Sequence, residues 1–272
     1  MTAQAEERQQ GRGGSRAVYV YGIMPGDVEV EAGTAGVGDP PGEVRVVKHA
    51  GLAALVSDVN LDRPLGRAED LFAHEQLLDA SAAEVPVLPL RFGAVVTDDK
   101  AVAEELLGPH HDEFAEALRQ LDGQTEFVVQ GRYVEHAILR EVLAEDPDAA
   151  QLNEEIKGTD ENATRQQRME LGEIIGNAIE AKRQADTEAL GDALSGQVTA
   201  SMVRPPSHEL DAAYVAFLVP ADKADALRQA VSRLAEEWQG RIELRLLGPL
   251  AAYDFVGAEA PAPDAEAGAG AN

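Results

Sequence analysis

Residues 212–246 contain a strand, a helix and a second strand in direct succession, and this succession constrains the fold more than any other feature of the chain. The first strand, 212–219, is an almost continuous apolar run, which is typical of a central strand covered on both faces. Asp222 begins a helix with apolar side chains at helical spacing, and Gly240 ends it. Residues 241–246 then alternate between charged and apolar side chains, which predicts a strand with one buried face.

This strand-helix-strand unit is what half of a ferredoxin-like split βαβ layer looks like. Strand and helix patterns also alternate through the rest of the chain, so the class is α+β or α/β. Further strands are predicted at 17–23, 44–48, 52–56, 87–90, 125–129 and 197–203. A helix is predicted at 69–84, where the apolar residues at helical spacing are Leu71, Phe72, Leu77, Leu78 and Ala82. Asp98 and Asp99 can cap a second helix, whose inward face is Val102, Leu106 and Leu107. Gly108-Pro109 interrupts it, and a third helix carries Phe114, Leu118 and Leu121.

The middle of the chain, 134–194, is predicted to be mostly helical. Its apolar positions recur at steps of three, four or seven, and the stripe consists of Leu171, Ile175, Ala178, Ala185, Ala189 and Ala193. Small residues on such a stripe favour close helix packing, as in a short antiparallel coiled coil or a helical hairpin. The alternative is a single amphipathic helix lying on a sheet.

Changes in pattern and composition predict five segments. Residues 1–16 and 257–272 have the composition of loose tails, the second being rich in Ala, Gly and Pro. Between the tails, the predicted segments are an α+β domain, a helical segment and a C-terminal ferredoxin-like βαβ domain, at 17–133, 134–195 and 196–256.

The charge of the chain narrows the classes of partner. Lys and Arg number 23 against 49 Asp and Glu, which gives a formal charge of −26. Such a charge repels phosphate backbones and anionic lipid headgroups, so we expect neither nucleic acid nor membrane as a partner. It either reflects general solubility in an acidic proteome or keeps the protein in solution beside apolar partners. The absence of cysteine, of a signal sequence and of an apolar run long enough to span a membrane fits the cytosol.

The motifs of several enzyme classes are missing from the sequence. The glycine-rich stretch 33–38 lacks the preceding strand and following helix of a dinucleotide-binding fingerprint. His74-Glu75 resembles the start of a helical zinc motif, but Leu78 occupies the place of the second ligand. His110 and His111 are adjacent, so they cannot both face one metal from a regular helix. We therefore predict no catalytic residue, cofactor or metal.

Acidic side chains crowd the middle of the chain, where we interpret them as a solvated helix face. They are Glu141, Glu145, Glu154, Glu155, Asp160 and Glu161. A general acid and base pair would need burial and convergence, which a sequence does not display. An enzyme that uses two buried carboxylates remains an alternative to a non-catalytic protein.

Arg91 is the charged residue that the pattern singles out. It follows an apolar strand and lies close to Gly93, where the backbone can approach another group closely, so we expect it to be partly buried. One interpretation is a structural arginine that binds loop carbonyls or an acidic side chain of the same fold. The other is a residue that binds a partner.

Three motifs in order resemble the GvpL/GvpF family of gas vesicle proteins. They lie at 19–23, 87–96 and 248–256, and the Pro-Leu-Arg-Phe-Gly stretch within the second is the most specific. The third departs from the family pattern, which commonly has Trp and Pro in the stretch Leu250-Ala251-Ala252. The resemblance makes these motifs the candidate partner-binding or structural positions, namely Arg91, Phe92, Gly93, Tyr253 and Phe255.

The resemblance implies a two-domain α+β protein with two ferredoxin-like layers and a helical middle segment. It implies an accessory protein of gas vesicle assembly that binds the main hydrophobic shell protein and other accessory proteins, in the cytoplasm and associated with the vesicle. It brings no catalytic residue and does not separate the L type from the F type. A small-ligand-binding regulatory domain of ferredoxin-like type is the alternative, because such layers often bind metabolites.

Overall fold

The structure is a computed structural model that describes residues 16–256. The chain divides into two compact units, and each is described by itself. Within the described residues, the first unit comprises 16–125 together with 249–256, and the second comprises 126–248. The predicted tails at 1–16 and 257–272 lie outside the described residues, except for Arg16.

The first unit is built on an antiparallel sheet with the order β2-β3-β1-β4, and β5 also pairs with β1. Its strands are β1 (Arg16–Pro25), β2 (Val44–His49), β3 (Leu52–Asn60), β4 (Leu88–Pro89) and β5 (Val95–Val96). This is the strand order of a ferredoxin-like layer, in which the first and third strands lie at the centre. A loop between β1 and β2 takes the place of the first helix.

The predicted hairpin is confirmed as β2 and β3, which are joined by Ala50 and Gly51. Both turn residues have positive φ, 49° for Ala50 and 89° for Gly51. Two consecutive residues with positive φ form the type I′ turn, whose twist matches that of the strands it connects. Alanine adopts this conformation only at a cost, so tertiary packing of the sheet imposes the turn.

Three helices accompany this sheet: α1 (Ala68–Ala82), α2 (Asp99–Ala101), which continues as a π-helical segment (Val102–Leu107), and α3 (His111–Leu121). Asp98 caps α2 by accepting the Ala101 N–H at 2.9 Å, as predicted. The apolar residues predicted to face inward on α3 are buried. On α1, however, Leu71 and Phe72 are 41% and 64% exposed, whereas His74 is buried.

The second unit contains an antiparallel sheet with the order β7-β8-β6-β9. Its strands are β6 (Gln124–Tyr133), β7 (Ala200–Val203), β8 (Asp211–Pro220) and β9 (Ile242–Leu250). Helices α4 (Glu135–Glu145), α5 (Pro147–Ile156) and α6 (Arg165–Leu194) follow the first of these strands, and a 3-10 turn (Ala221–Lys223) with α7 (Ala224–Glu237) follows the third. This βαββαβ succession with two central strands is the ferredoxin-like arrangement. The predicted α+β class is therefore confirmed.

The core of the second unit forms between β6, β8 and the inward faces of α6 and α7. Phe127, Phe217, Leu190 and Leu227 are fully buried in it. Burial of a large apolar side chain contributes about 1.5–3 kcal/mol. The alternating strand predicted at 241–246 is β9, whose apolar residues pack against this core and an adjoining apolar cluster.

The stripe predicted on the long helix is wrong over its second half. Ala185, Ala189 and Ala193 are exposed, and Leu190 and Leu194 are buried instead. Leucine buries far more apolar area than alanine, so the leucines decide which face turns to the sheet. In this half α6 packs on β8, which corresponds to an amphipathic helix on a sheet rather than to a coiled coil.

The boundaries of the two units differ from the domain boundaries predicted from the sequence. β6 contributes a central strand to the second sheet, although its residues were assigned to the first domain. Residues 249–256, assigned to the last domain, belong to the first unit. The chain passes from one unit to the other within β6 and again within β9. Composition does not change inside a strand, so the sequence gives no sign of these boundaries. Among the described residues, no helix is both long and apolar enough to cross a membrane.

Candidate functional site

The motif with Pro89-Leu90-Arg91-Phe92-Gly93 forms a bulge on the edge of the first sheet. Before it, Leu88 and Pro89 pair with β1, and after it Val95 and Val96 pair with β1 again. Backbone hydrogen bonds close both ends, from the Leu90 N–H to the Tyr21 carbonyl and from the Val20 N–H to the Ala94 carbonyl, each at 2.9 Å. Residues 91–93 therefore leave the sheet as a short protrusion, which we call the Arg91 bulge.

Tyr19 supports the Arg91 bulge from below. Its side chain is fully buried, and its hydroxyl accepts the Gly93 N–H at 3.0 Å. Gly93 has a φ of 95°, a conformation that glycine adopts without the steric cost other residues incur. Burial raises the pKa of Tyr19 far above its usual range, with the Gly93 N–H opposing this shift. Tyr19 therefore acts as a neutral hydrogen-bonding group.

His74 of α1 lies on the other side of the Tyr19 hydroxyl. The distance from that hydroxyl to His74 Nδ1 is 2.9 Å. The imidazole stacks on Tyr21 and meets Phe92 edge-on, with ring centroids 5.7 Å and 5.6 Å apart. Burial lowers the pKa of His74, which the backbone carbonyl of Leu90 partly offsets, so the ring is neutral near pH 7. In the tautomer that carries its hydrogen on Nε2, the neutral ring accepts the Tyr19 hydrogen at Nδ1.

The loop between β1 and β2 closes over this cluster. The Val37 N–H donates to the Tyr21 hydroxyl at 2.7 Å, and Ser57 Oγ lies 2.8 Å from the same oxygen. A Cβ on Gly36 would approach that hydroxyl to 2.2 Å, so only glycine fits there. Burial raises the pKa of Tyr21 as well.

Asp70 fastens the same loop to the start of α1. Its carboxylate accepts N–H groups from Gly38, Gly66 and Arg67 at 3.0–3.2 Å. Burial alone would raise the pKa of Asp70, but these donors together lower it. The carboxylate therefore stays ionised and satisfies the first turn of the helix.

The third motif joins the cluster through residues 249–256. The Ala251 N–H donates to Asp79 Oδ1 of α1 at 2.8 Å, and both Ala251 and Ala252 are buried. Burial raises the pKa of Asp79, while the Ala251 N–H opposes the shift. The Tyr253 ring lies 6.4 Å from the His74 ring, centroid to centroid. The three sequence motifs thus meet around α1, with small alanines against the helix.

The five candidate residues differ in their exposure to solvent. Phe92, Tyr253 and Phe255 are half-buried, whereas Arg91 and Gly93 are exposed. The expected partial burial of Arg91 is wrong, because the bulge carries its side chain away from the sheet. Within residues 16–256, the Arg91 guanidinium makes no hydrogen bond or ion pair. Sequence reasoning also missed His74 as the centre of the support, since it was considered only as a metal ligand.

A second polar cluster lies inside the second unit and contains Glu141, assigned above to a solvated face. Arg241 donates to Glu141 Oε2 at 2.7 Å and to Asp186 Oδ1 at 2.8 Å. Lys182 Nζ donates to Glu141 Oε1, and the Tyr133 hydroxyl to Asp186 Oδ2, both at 2.6 Å. The carboxylates of Glu141 and Asp186 therefore converge, but both bind the guanidinium of Arg241.

The charges of this second cluster are fixed by their partners. The hydrogen bond from Arg241 lowers the pKa of Glu141, burial opposes this, and Lys182 lowers it further. Asp186 and Glu141 together raise the pKa of Arg241. A carboxylate held ionised in this way is suited to joining α4 and α6 to the residue that precedes β9, not to delivering a proton. Among the described residues, no group of three or more His, Asp or Glu side chains is arranged to hold a metal ion.

Comparisons with known proteins agree with the family resemblance that the three motifs carry. Residues 17–257 match the family model described as gas vesicle synthesis protein GvpL/GvpF. The chain is 36% identical to gas vesicle protein F of Streptomyces sp. (strain CB03234), covering 88% of this chain and 99% of the relative. It is 29% identical to gas vesicle protein L of the same strain, covering 89% and 93% of the two chains.

A solved structure has the same fold. The crystal structure of the gas vesicle protein GvpF from Anabaena sp. PCC7120 superimposes with a TM-score of 0.73 at 22% identity, covering 90% of this chain and 100% of that one. The match of the family model extends over all three motifs and both units, and the Streptomyces relative is similar over almost its whole length. This chain therefore belongs to the GvpL/GvpF family of gas vesicle synthesis proteins.

Proposed function

We propose that this protein, whose family gives it an accessory role in gas vesicle formation, holds the apolar shell subunit through an open sheet edge during assembly. The family match and the names of its relatives support the accessory role. A shell subunit apolar enough to exclude water would aggregate if it were released freely. A helper that covers its strand edges prevents that aggregation.

The observation that carries the proposal is the exposure of β7 at the end of the second sheet. All residues of β7 are exposed, and Met202 and Val203 are 44% and 64% exposed. The Arg204 N–H donates to the Tyr214 carbonyl at 2.8 Å. In the alternation of an antiparallel ladder, this bond turns the backbone N–H and C=O groups of Ser201 and Val203 away from β8. A partner strand can add to this edge.

A strand added at this edge would be bound by backbone hydrogen bonds and by apolar side-chain contacts. Main-chain hydrogen bonds supply affinity in strand addition, and side chains supply specificity. The net charge of −26 gives the complex a strongly anionic surface, which keeps it from associating further. The chain thus combines a short apolar edge with an anionic exterior.

The Arg91 bulge is suited to a second kind of contact, with other accessory proteins. An exposed guanidinium on a rigid support forms a bidentate pair with a carboxylate at little conformational cost. Gly93 anchors the bulge through its bond to Tyr19, and Phe92 and Tyr253 pack against the buried cluster below it. Phe255, in the third motif, is a further candidate for such a contact.

Co-expression with the shell protein tests the proposal. We expect the shell protein to be more soluble with this chain than without it. Val203→Lys places a charge on the edge strand and should reduce that solubility, whereas Met169→Lys adds the same charge to an equally exposed side chain on α6 and should not. A shell protein that is equally insoluble with and without this chain would exclude the holding role.

A further inference from the structure

A groove beside α6 in the second unit is separate from β7 and from the ion cluster. It lies between α6, the start of α4 and the segment before β8, and it encloses about 560 Å³. Leu139, Ile175, Ile179 and Leu210 give it apolar walls, and Ile175 and Ile179 are only half-buried. We call it the α6 groove. An open groove of this size with apolar walls is suited to the side chains of a partner.

The floor of the α6 groove contains Gly172 and Gly176. Both are exposed, and a Cβ on either would meet no atom within 4 Å. Neither has a positive φ within the helix. Glycine in a helix interior is less favourable than alanine, so these residues weaken α6 without serving the packing of the described chain. Their effect is to leave the helix backbone open to close approach from outside.

The shape of the α6 groove selects a helix as its occupant. Residues 172, 175, 176 and 179 form the i, i+3, i+4, i+7 pattern of one helical face, which receives the ridge of a second helix. The backbone groups of α6 are already paired within the helix, so a strand would gain no main-chain hydrogen bonds here. Side chains must therefore provide the contact.

The charges at the rim select a cationic occupant. The guanidinium of Arg183 is engaged by the carbonyls of Asp211 and Glu209, at 2.6 Å and 2.8 Å, and by the Glu180 carboxylate. Glu135 and Glu209 are exposed and, within residues 16–256, have no ion pair. We propose that the α6 groove docks an amphipathic helix of a partner protein that carries Lys or Arg beside an apolar stripe.

The net charge of −26 adds to this selectivity, because it attracts cationic segments and repels a second copy of this chain. Docking at the α6 groove does not depend on the β7 edge. A Val203→Lys variant that loses the shell protein would still bind a helix in the α6 groove, so the two ideas can fail separately.

Fluorescence anisotropy with synthetic peptides tests the inference on the full chain. The probe is a peptide of about 18 residues with Leu at i, i+3, i+4 and i+7 and Lys on both sides of the stripe. A rearranged peptide of the same composition without the stripe, and a striped peptide with Glu in place of Lys, are the comparisons. We expect only the striped Lys peptide to bind. The double variant with Glu135→Gln and Glu209→Gln should reduce the salt dependence of that binding.

Three glycine variants distinguish loss of binding caused by filling the α6 groove from loss caused by unfolding. Gly172→Gln and Gly176→Gln should each weaken binding about tenfold, whereas Gly191→Gln, further along α6 and equally free of neighbours, should leave it unchanged. All three should raise the melting temperature, since glutamine is the better helix former. Loss of binding in a more stable protein cannot be ascribed to unfolding.

Two outcomes would overturn the inference. One is equal binding of the striped and rearranged Lys peptides, which would mean attraction by charge alone. The other is a dimer, seen by sedimentation, that Gly172→Gln and Gly176→Gln dissociate, which would assign the α6 groove to a second copy of this chain.

Discussion

The Tyr19 hydroxyl lies 2.9 Å from Nδ1 of His74, although 55 positions separate the two residues in the chain. This bond connects β1, one of the two central strands of the first sheet, to α1. The same oxygen also accepts the Gly93 N–H, so the position of the exposed Arg91 depends on a buried pair. A surface feature that is fixed from below is pre-organised for binding.

Removing the Tyr19 hydroxyl should destabilise the first unit. Tyr19→Phe leaves the Gly93 N–H and His74 Nδ1 without their partner, and we expect the free energy of unfolding to fall by about 1–3 kcal/mol. Denaturant unfolding measures this loss. Tyr214→Phe, which removes a hydroxyl from a half-buried site in the second unit, should cost less. An unchanged free energy in Tyr19→Phe would mean that the bond does not support the bulge.

The stability of the protein should fall as the pH is lowered through the ordinary range of histidine. The pKa of His74 is lowered from 6.5 in the folded state, so below pH 6.5 the unfolded chain takes up a proton that the folded chain does not. The contribution is complete above that pH and declines toward the folded pKa. Denaturant midpoints between about pH 7.5 and about pH 5.5 measure it. His74→Gln should flatten this part of the profile.

Arg91 should matter for association and not for folding. Arg91→Ala removes an exposed side chain without a partner in the described residues, so the free energy of unfolding should change by no more than about 0.5 kcal/mol. Co-purification with the co-expressed accessory proteins should drop at least about tenfold. Arg119→Ala removes the same charge from an exposed surface pair and should have no such effect. Equal recovery with both variants would assign Arg91 no binding role.

Arg241 should be among the most sensitive positions of the second unit. Arg241→Met leaves Glu141 without its main partner and Asp186 with only Tyr133, which should cost about 3 kcal/mol of unfolding free energy. Arg245→Met is the matched control, because Arg245 lies on β9, which begins directly after Arg241, and is exposed. Thermal unfolding followed by circular dichroism compares the two. Similar melting temperatures would mean that the cluster contributes little.

Acid should weaken the same cluster. The pKa of Glu141 lies below its ordinary value of 4.5 in the folded protein, so its contribution is present above pH 4.5 and is lost as the pH falls through the folded pKa. Glu141→Gln removes this dependence. The difference in unfolding free energy between the wild type and the variant should therefore shrink below pH 4.5, and a constant difference would contradict the assignment.

The regular elements could be predicted where side-chain size and periodicity agree. The apolar run of β8, the capped helix α2 and the alternating β9 all follow from local sequence. The continuous apolar run marks a strand buried on both faces, and the periodic patterns of α2 and β9 each mark one buried face. For α1 and the second half of α6 the helix was predicted, but the buried face was not. In α1 a histidine and an aspartate occupy buried positions, and in α6 the alanines gave no preference between two faces.

The candidate site could be predicted as a set of motifs but not as an arrangement. The Pro-Leu-Arg-Phe-Gly stretch and Tyr253 were singled out, yet nothing local indicates that both lie around His74. Glu141 was interpreted as part of a solvated face, and nothing in the sequence singled out Asp186. Their convergence on Arg241 depends on residues up to 100 positions apart.

By itself, the sequence determined the α+β class, the family and the segments that carry the motifs, because these depend on short-range patterns of side chains. Only the tertiary structure decided that residues 249–256 return to the first unit, that Arg91 is exposed and that His74 lies beneath it. Such contacts join distant parts of the chain, and their free energy comes from burial and hydrogen bonding that exist only after the chain has folded.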